Sequence, residues 1–254
     1  VENQDYIYGR NAIFEAINSG KRVAKVFLSF GVQGGAISAI FNLCKKNGIP
    51  IVTHDKTKFN TLERSVCQHG EKSQGIIALM SLIETCDLED LIRISQTRKH
   101  KVLVALDEIT DPHNLGAIAR SAECSGASGL ILPERNSAPI TPAAIKASAG
   151  ALTHLKVAAV GNLANALEKC KEAGFWIVGT DMNTEQLYTD KIYDRPIVII
   201  IGSEGKGIRP VIRKQCDYLV KIPMLGKTES LNASVSAGII LFEALKQNLD
   251  KVNN

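Results

Sequence analysis

Cysteine pairs, a membrane-length apolar run and a decisive charge of either sign are all missing from this chain of 254 residues. The six cysteines, Cys44, Cys67, Cys86, Cys124, Cys170 and Cys216, are never closer than 19 residues. That spacing excludes zinc knuckles, which draw on CxxC-type pairs, and secreted disulfide scaffolds, which are shorter and denser in cysteine. Reduced thiols in a cytoplasmic protein are the expectation, with small apolar core positions for the cysteines and no metal. The longest stretch without Asp, Glu, Lys or Arg runs from Val26 to Cys44, but Gly31, Gln33, Gly34 and Gly35 interrupt it. It therefore reads as strand, turn and helix start, and no membrane span is expected. Val1-Glu2-Asn3-Gln4-Asp5 is polar and acidic with no apolar run behind a basic one, so no secretory signal is expected either.

Charge is nearly balanced at 30 basic against 26 acidic residues, and the surplus of +4 is unevenly spread. Residues 1–82 hold 10 Lys/Arg against 6 Asp/Glu, residues 83–100 hold 3 against 4, and residues 101–254 hold 17 against 16. The excess in the first third permits phosphate binding without requiring it.

At 45% hydrophobic and 22% charged, the composition is that of an ordinary globular protein, and the length suits two modules better than one. In the first, Asn11 is placed to cap a helix with Ile13, Phe14 and Ile17 inward, and Gly20 to end it. A strand over 24–30, a helix over 34–47, a strand over 49–53, a helix over 56–67 and a strand over 75–80 follow. The charged segment 83–100 reads as a linker with one short helix. From Lys101 the pattern restarts with a strand over 102–106, a loop Asp107–His113, a helix opening at Asn114 and a strand over 129–132. Helices near 141–148 and 162–173, strands over 175–180 and 196–201, a short helix over 208–215, a strand over 218–222 and a helix over 232–247 complete it. Uninterrupted apolar strands such as Ile197–Ile201 suit a parallel sheet covered on both faces.

In such sheets the ligand crevice lies beyond the carboxyl ends of the strands. Three loops there carry chemistry. Asp107 to Arg120 joins a strand ending in acids to a helix on which Asn114 and Arg120 stand six residues apart, about one and two-thirds turns. Ile201 to Pro210 holds Gly202, Gly205 and Gly207 around Glu204, letting backbone approach a ligand. This is not GxGxxG, and the next strand runs into Pro223 rather than ending in an acid, so dinucleotide binding is disfavoured. Ile222 to Gly238 contains Gly226-Lys227-Thr228, but Lys221 stands where a P-loop needs its first glycine. What remains there is an apolar strand end, a flexible loop and a helix start rich in Ala, Ser and Gly.

Asn114 with Arg120, Gly202-Ser203-Glu204-Gly205 with Gly207, and Ser230-Leu231-Asn232 with Ala233 and Ser234 resemble, in order and spacing, the three motifs of the SpoU family of RNA ribose 2′-O-methyltransferases within the SPOUT superfamily. The first module, through Tyr8-Gly9-Arg10-Asn11-Ala12 and Gln74-Gly75-Ile76, resembles the substrate-binding domain of many such enzymes. The whole pattern is most similar to bacterial enzymes that methylate a guanosine ribose in 23S ribosomal RNA.

The resemblance implies an α/β fold with two parts. One is a C-terminal parallel sheet with a deep trefoil knot over 101–254; the other is a small N-terminal α/β (L30e-like) substrate-binding domain over 1–82. It implies S-adenosylmethionine as cofactor, with Gly202, Gly207, Ile222, Met224, Leu231 and Ala233 as its walls and Thr180 and Asp181 as further contacts. It implies Arg120 at the reacting hydroxyl, oriented with the ribose by Asn114, Glu204, Ser230 and Asn232, and a homodimer acting on ribosomal RNA. Arginine stays protonated at neutral pH, which favours phosphate contact and charge stabilisation over base action. Transfer RNA 2′-O-methylation, adenosine methylation of the antibiotic-resistance type, and a non-catalytic RNA-binding scaffold are the alternatives.

Overall fold

The structure is a computed structural model that describes residues 6–21, 23–67, 71–80, 83–227 and 230–253. The acidic first five residues and Thr228 of the rejected P-loop lie outside them. The chain divides into two compact units, residues 1–83 with 139–142, and 84–138 with 143–254.

The first unit runs β1 (Tyr6–Tyr8), α1 (Arg10–Asn18), β2 (Val23–Ser29), α2 (Gly35–Lys46), β3 (Ile51–His54), α3 (Lys56–Val66) and β4 (Ile76–Met80). Its sheet has the order β1-β4-β2-β3, with β4 antiparallel to both neighbours and β2 parallel to β3. Strand β4 sits inside the sheet, and its alternate residues serve two cores: Ile76 and Ala78 pack with Ile13, Val26 and Ile40, while Ile77 packs with Phe59 and Val66. Helix α1 corrects the capping expected of Asn11. It starts at Arg10, and Gly9 occupies the cap position at φ 89, because a one-residue passage from strand to helix demands a left-handed backbone. Ser73, buried before β4, is held by Glu63, to which both its N–H and its hydroxyl donate.

The second unit contains β5 (Thr85–Cys86), α4 (Leu88–Gln96), β6 (Val102–Asp107), α5 (Pro112–Cys124), β7 (Gly129–Pro133), α6 (Pro142–Ala147), β8 (Lys156–Val160), α7 (Leu163–Glu172), β9 (Trp176–Thr180), β10 (Ile197–Gly202), α8 (Pro210–Arg213), β11 (Tyr218–Val220) and α9 (Ala233–Asn253). All strand pairs in its seven-stranded sheet are parallel, in the order β11-β9-β10-β6-β7-β8-β5. The parallel sheet and the small N-terminal α/β unit thus match the expected fold class.

Two expectations need correction here. The segment 83–100 is not a connecting linker in this structure. Strand β5 extends the large sheet, and α4 buries Leu88, Leu91, Ile92 and Ser95 at i, i+3, i+4 and i+7 against the core of Leu103, Ile131 and Ala158. Its charges lie on the outer face, which made the segment look wholly exposed. Strand β8 was not expected at all, because Lys-Val-Ala-Ala-Val is weak in strand propensity. Pairing with β7 on one side and β5 on the other makes it a strand.

Parallel register brings the strand ends to one edge. Gly202 is opposite Asp107, Ile200 opposite Gly179, and Val220 opposite Thr180, so the loops after β6, β9, β10 and β11 emerge together. Helix α9 packs on α5. A Cβ added to Gly238 would lie 3.5 Å from Ser121 Oγ, so the small residues of α9 serve this intramolecular contact.

Candidate active site

The first loop starts at Asp107, which is fully buried at the end of β6. Its carboxylate accepts from Arg209 N–H at 2.8 Å and from Arg209 Nε at 2.7 Å, clamping the loops after β6 and β10 together. The side-chain hydrogen bond that the Arg209 guanidinium donates to Asp107 pushes its pKa up from the ordinary value. Helix α5 then begins with Asp111 as its cap, accepting from His113 N–H at 2.9 Å, and Pro112 as its first residue. Asn114 is therefore in the first turn and does not open the helix. Both the oxygen and the nitrogen of the Asn114 amide are thus left for partners outside the helix.

The second loop folds back on itself. Ser203 N–H donates to Gly207 O at 3.1 Å and Gly207 N–H to Ser203 O at 2.9 Å, while Gly205 and Gly207 take φ of 79 and 66. A Cβ on Gly202 would come within 2.3 Å of the Gly207 carbonyl carbon, so the close return requires glycine there. The hairpin carries Glu204 outward.

The third loop enters α9 through Asn232, whose Oδ1 accepts from Ser234 N–H at 2.9 Å and caps the helix. The Asn232 amide nitrogen donates to Asn114 Oδ1 at 3.0 Å and also to Glu204 Oε1. Asn114 Nδ2 donates to the same Glu204 oxygen at 3.0 Å. One residue from each loop thus closes a triangle in which two amides supply the protons and a carboxylate accepts.

Next to this triangle is a cleft of about 740 Å³. All eight residues expected at the cofactor line it: Thr180 and Asp181 after β9, Gly202 and Gly207 from the hairpin, and Ile222, Met224, Leu231 and Ala233 from the third loop. Glu204 and Ser230 line it too, whereas Asn114, Asn232 and Arg120 do not. Among the described residues, the backbone N–H groups of Ile222 and Leu231 donate to no protein group. Unpaired backbone donors between apolar side chains fit a flat heteroaromatic ring with polar edges, the character of an adenine. Asp181 is partly engaged, by an ion pair with Arg213 and by Asn183 N–H at 2.8 Å.

Arg120 lies on the exposed side of α5, and its side chain makes no hydrogen bond or ion pair among the described residues. The structure does not bring it into the triangle. Sequence reasoning missed Arg209, whose partner is 102 residues away. It also gave no role to Asp107, although the acid at the strand end was visible.

Comparisons with known proteins place the chain in a family. Residues 101–242 match the model of the SpoU rRNA Methylase family, and residues 6–86 match the model described as RNA 2′-O ribose methyltransferase substrate binding. The chain is 36% identical over 247 residues to the TrmH family tRNA/rRNA methyltransferase YacO of Bacillus subtilis, covering 97% of each. It resembles the SpoU methyltransferase AviRb from Streptomyces viridochromogenes in complex with AdoMet at 27% identity and a TM-score of 0.60, covering 96% of this chain and 90% of that one. It also resembles the A. aeolicus TrmH/SpoU tRNA modifying enzyme, at 30% identity and a TM-score of 0.56, over 65% of this chain and 83% of that one. The chain belongs to the SpoU family, and is an S-adenosylmethionine-dependent RNA 2′-O-methyltransferase with an N-terminal substrate-binding domain.

Proposed function

We propose that this enzyme methylates the ribose of a guanosine in 23S ribosomal RNA, as a cytoplasmic homodimer whose cofactor loops form a trefoil knot. The observation that carries the catalytic part is the Asn114–Glu204–Asn232 triangle at the rim of the cleft. When bound, S-adenosylmethionine supplies a methyl group activated by its sulfonium charge. Ile222 and Leu231 hold its adenine through backbone groups, and Gly202, Gly207, Met224 and Ala233 form the surrounding wall with Thr180 and Asp181.

The protein's work is to position the hydroxyl and manage its proton. Glu204 gathers the two asparagine amides and fixes the start of α5 against the start of α9. Arg120, further along α5 and without a protein partner among the described residues, is available to hold the adjacent phosphate and stabilise developing alkoxide charge. Ser230 and Asn232 orient the ribose.

Ribosomal rather than transfer RNA is favoured by the first unit. Its match to a substrate-binding model covers residues 6–86, whereas the likeness to the tRNA modifying enzyme extends over only 65% of the chain. The basic surplus of residues 1–82 suits phosphate contacts. Dimerisation is supported by Val235, Phe242 and Leu249, which repeat every seven residues along α9 and remain 48%, 48% and 42% exposed. The cysteines are all unpaired, which suits a reducing compartment.

Mapping ribose methyl groups in RNA from cells lacking the protein tests the substrate. Loss of one methylated guanosine in 23S ribosomal RNA is expected; loss confined to transfer RNA, or to a ribosomal adenosine, selects the corresponding alternative. Calorimetry with S-adenosylmethionine separates an enzyme from a scaffold, and Phe242→Asp is expected to yield monomers by sedimentation.

A further inference from the structure

At one end of the small sheet, where β1, β2 and β3 finish and β4 begins, Arg10 follows β1 and Phe30 follows β2, on either side of β4. Phe30 follows β2 and is 69% exposed. Its backbone is nevertheless pinned: Phe30 N–H donates to His54 O at 2.8 Å, and the preceding Ser29 N–H donates to Gly75 O at 3.0 Å. A turn closes over it, with Val32 N–H donating to Ser29 O at 3.2 Å and Gly31 at φ 84. The ring is thus presented by fixed backbone.

Arg10 is anchored at the same sheet end through the same turn before β4. Its N–H donates to Gln74 Oε1 at 3.1 Å and its Nε to Gln74 O at 3.4 Å. A Cβ on Gly34 would lie 3.3 Å from Arg10 Nη1, so glycine leaves room for the guanidinium. Among the described residues, its two terminal nitrogens donate to no protein group. Residues 26–44 contain no charged residue, and the acids nearest this sheet end have partners of their own: Asp55 caps α3, Glu63 accepts from Ser73 and Glu71 accepts from Tyr8. The exposed backbone of Gly31, Gly34 and Gly35 lets a chain approach closely.

We propose that this sheet end holds an unpaired nucleotide of the RNA substrate, with the base stacked on Phe30 and a neighbouring phosphate on Arg10. The inference rests on the reading of the first unit as an RNA binder and adds where, and in what form, the RNA is held. A base offers its face to a protein ring only when it is unstacked, so the partner is single-stranded, a loop or a bulge. The free fork of Arg10 matches phosphate oxygens.

The test uses the full-length protein with two probes, an oligoadenylate of about ten nucleotides and an adenine–uracil RNA duplex of the same length. Phe30→Ala is expected to weaken oligoadenylate binding by about tenfold or more, with Phe30→Trp restoring it and duplex binding unchanged. Arg10→Ala is expected to lower the slope of log affinity against log salt by about 0.7, a change Phe30→Ala leaves out. Phe41→Ala, removing a 50% exposed phenyl from the same unit, is the control and should bind as the parent does. If Phe30→Ala binds normally, or if Phe41→Ala weakens binding equally, the stacking site is refuted while RNA binding by the unit stands. If the unaltered protein binds neither probe, both this inference and the RNA-binding reading fail.

Discussion

Asn232 Nδ2 donates to Asn114 Oδ1 at 3.0 Å across 118 residues of sequence, and Glu204 accepts from both side chains. Glu204 Oε1 is shared by both amides and Asn232 also donates to Asn114, so loss of one side chain changes the bonding left to the other two, and the three should behave as one unit. Asn114→Ala and Asn232→Ala are expected each to lower kcat by about tenfold or more, and the double variant to fall clearly short of the product of the two losses. Strict additivity, beyond an error of about 0.5 kcal/mol in transition-state free energy, would show that the triangle is not a functional unit.

Arg120→Ala is expected to leave folding and S-adenosylmethionine affinity nearly intact and to reduce turnover by roughly 10²-fold or more. Arg120→Lys keeps the charge and loses the planar fork, so an orienting role gives little rescue while general phosphate attraction gives much. A surface arginine of no functional weight would change stability by within about 0.5 kcal/mol and leave methylation unaffected. Full activity of the alanine variant on the RNA substrate refutes the role.

The position of β5 and α4 decides where the second unit can be cut. A fragment of residues 84–254 is expected to fold and bind S-adenosylmethionine about as well as the whole chain, since every cofactor candidate lies within it. A fragment of residues 101–254 loses Leu88, Leu91 and Ile92 from the core, each worth about 1.5–3 kcal/mol of burial. Denaturant titration should find it several kcal/mol weaker; equal stability would mean that α4 is dispensable.

His100 carries a pH dependence of stability. It is 7% exposed, neither ring nitrogen has a partner among the described residues, and burial lowers its pKa from the ordinary value. Above about pH 6.5 the imidazole is neutral in both states and folding is unpenalised. As the pH falls below that value the unfolded chain takes up a proton that the folded chain resists, and stability is lost. His100→Leu should flatten this acid limb in denaturant titrations between pH 7.5 and about 5.5, and add about 1 kcal/mol at neutral pH by removing unpaired polar atoms. An acid limb as steep as that of the parent would assign it to other groups.

Local pattern alone was enough to locate most of the elements and all three loops. The apolar strands 102–106 and 196–201 were legible because a strand buried on both faces has no room for polar residues, and they appear as β6 and β10. Of the glycines around Glu204, Gly202 was legible because a close backbone return admits no side chain, and Gly205 and Gly207 because their backbone takes positive φ.

Other features depend on partners distant in sequence. The segment 83–100 reads as a charged linker until its inner face meets the large sheet, and β8 is a strand only between two others. The pairing of Asp107 with Arg209 spans 102 residues, and the triangle joins three loops that parallel register alone brings to one edge. Sequence determined which residue types stand in the loops at the strand ends, since residue type and local spacing encode that. Only the tertiary structure decided which of them meet, because hydrogen bonds and ion pairs form between neighbours in space, and nothing in the chain near Asn114 specifies that Glu204 and Asn232 will be there.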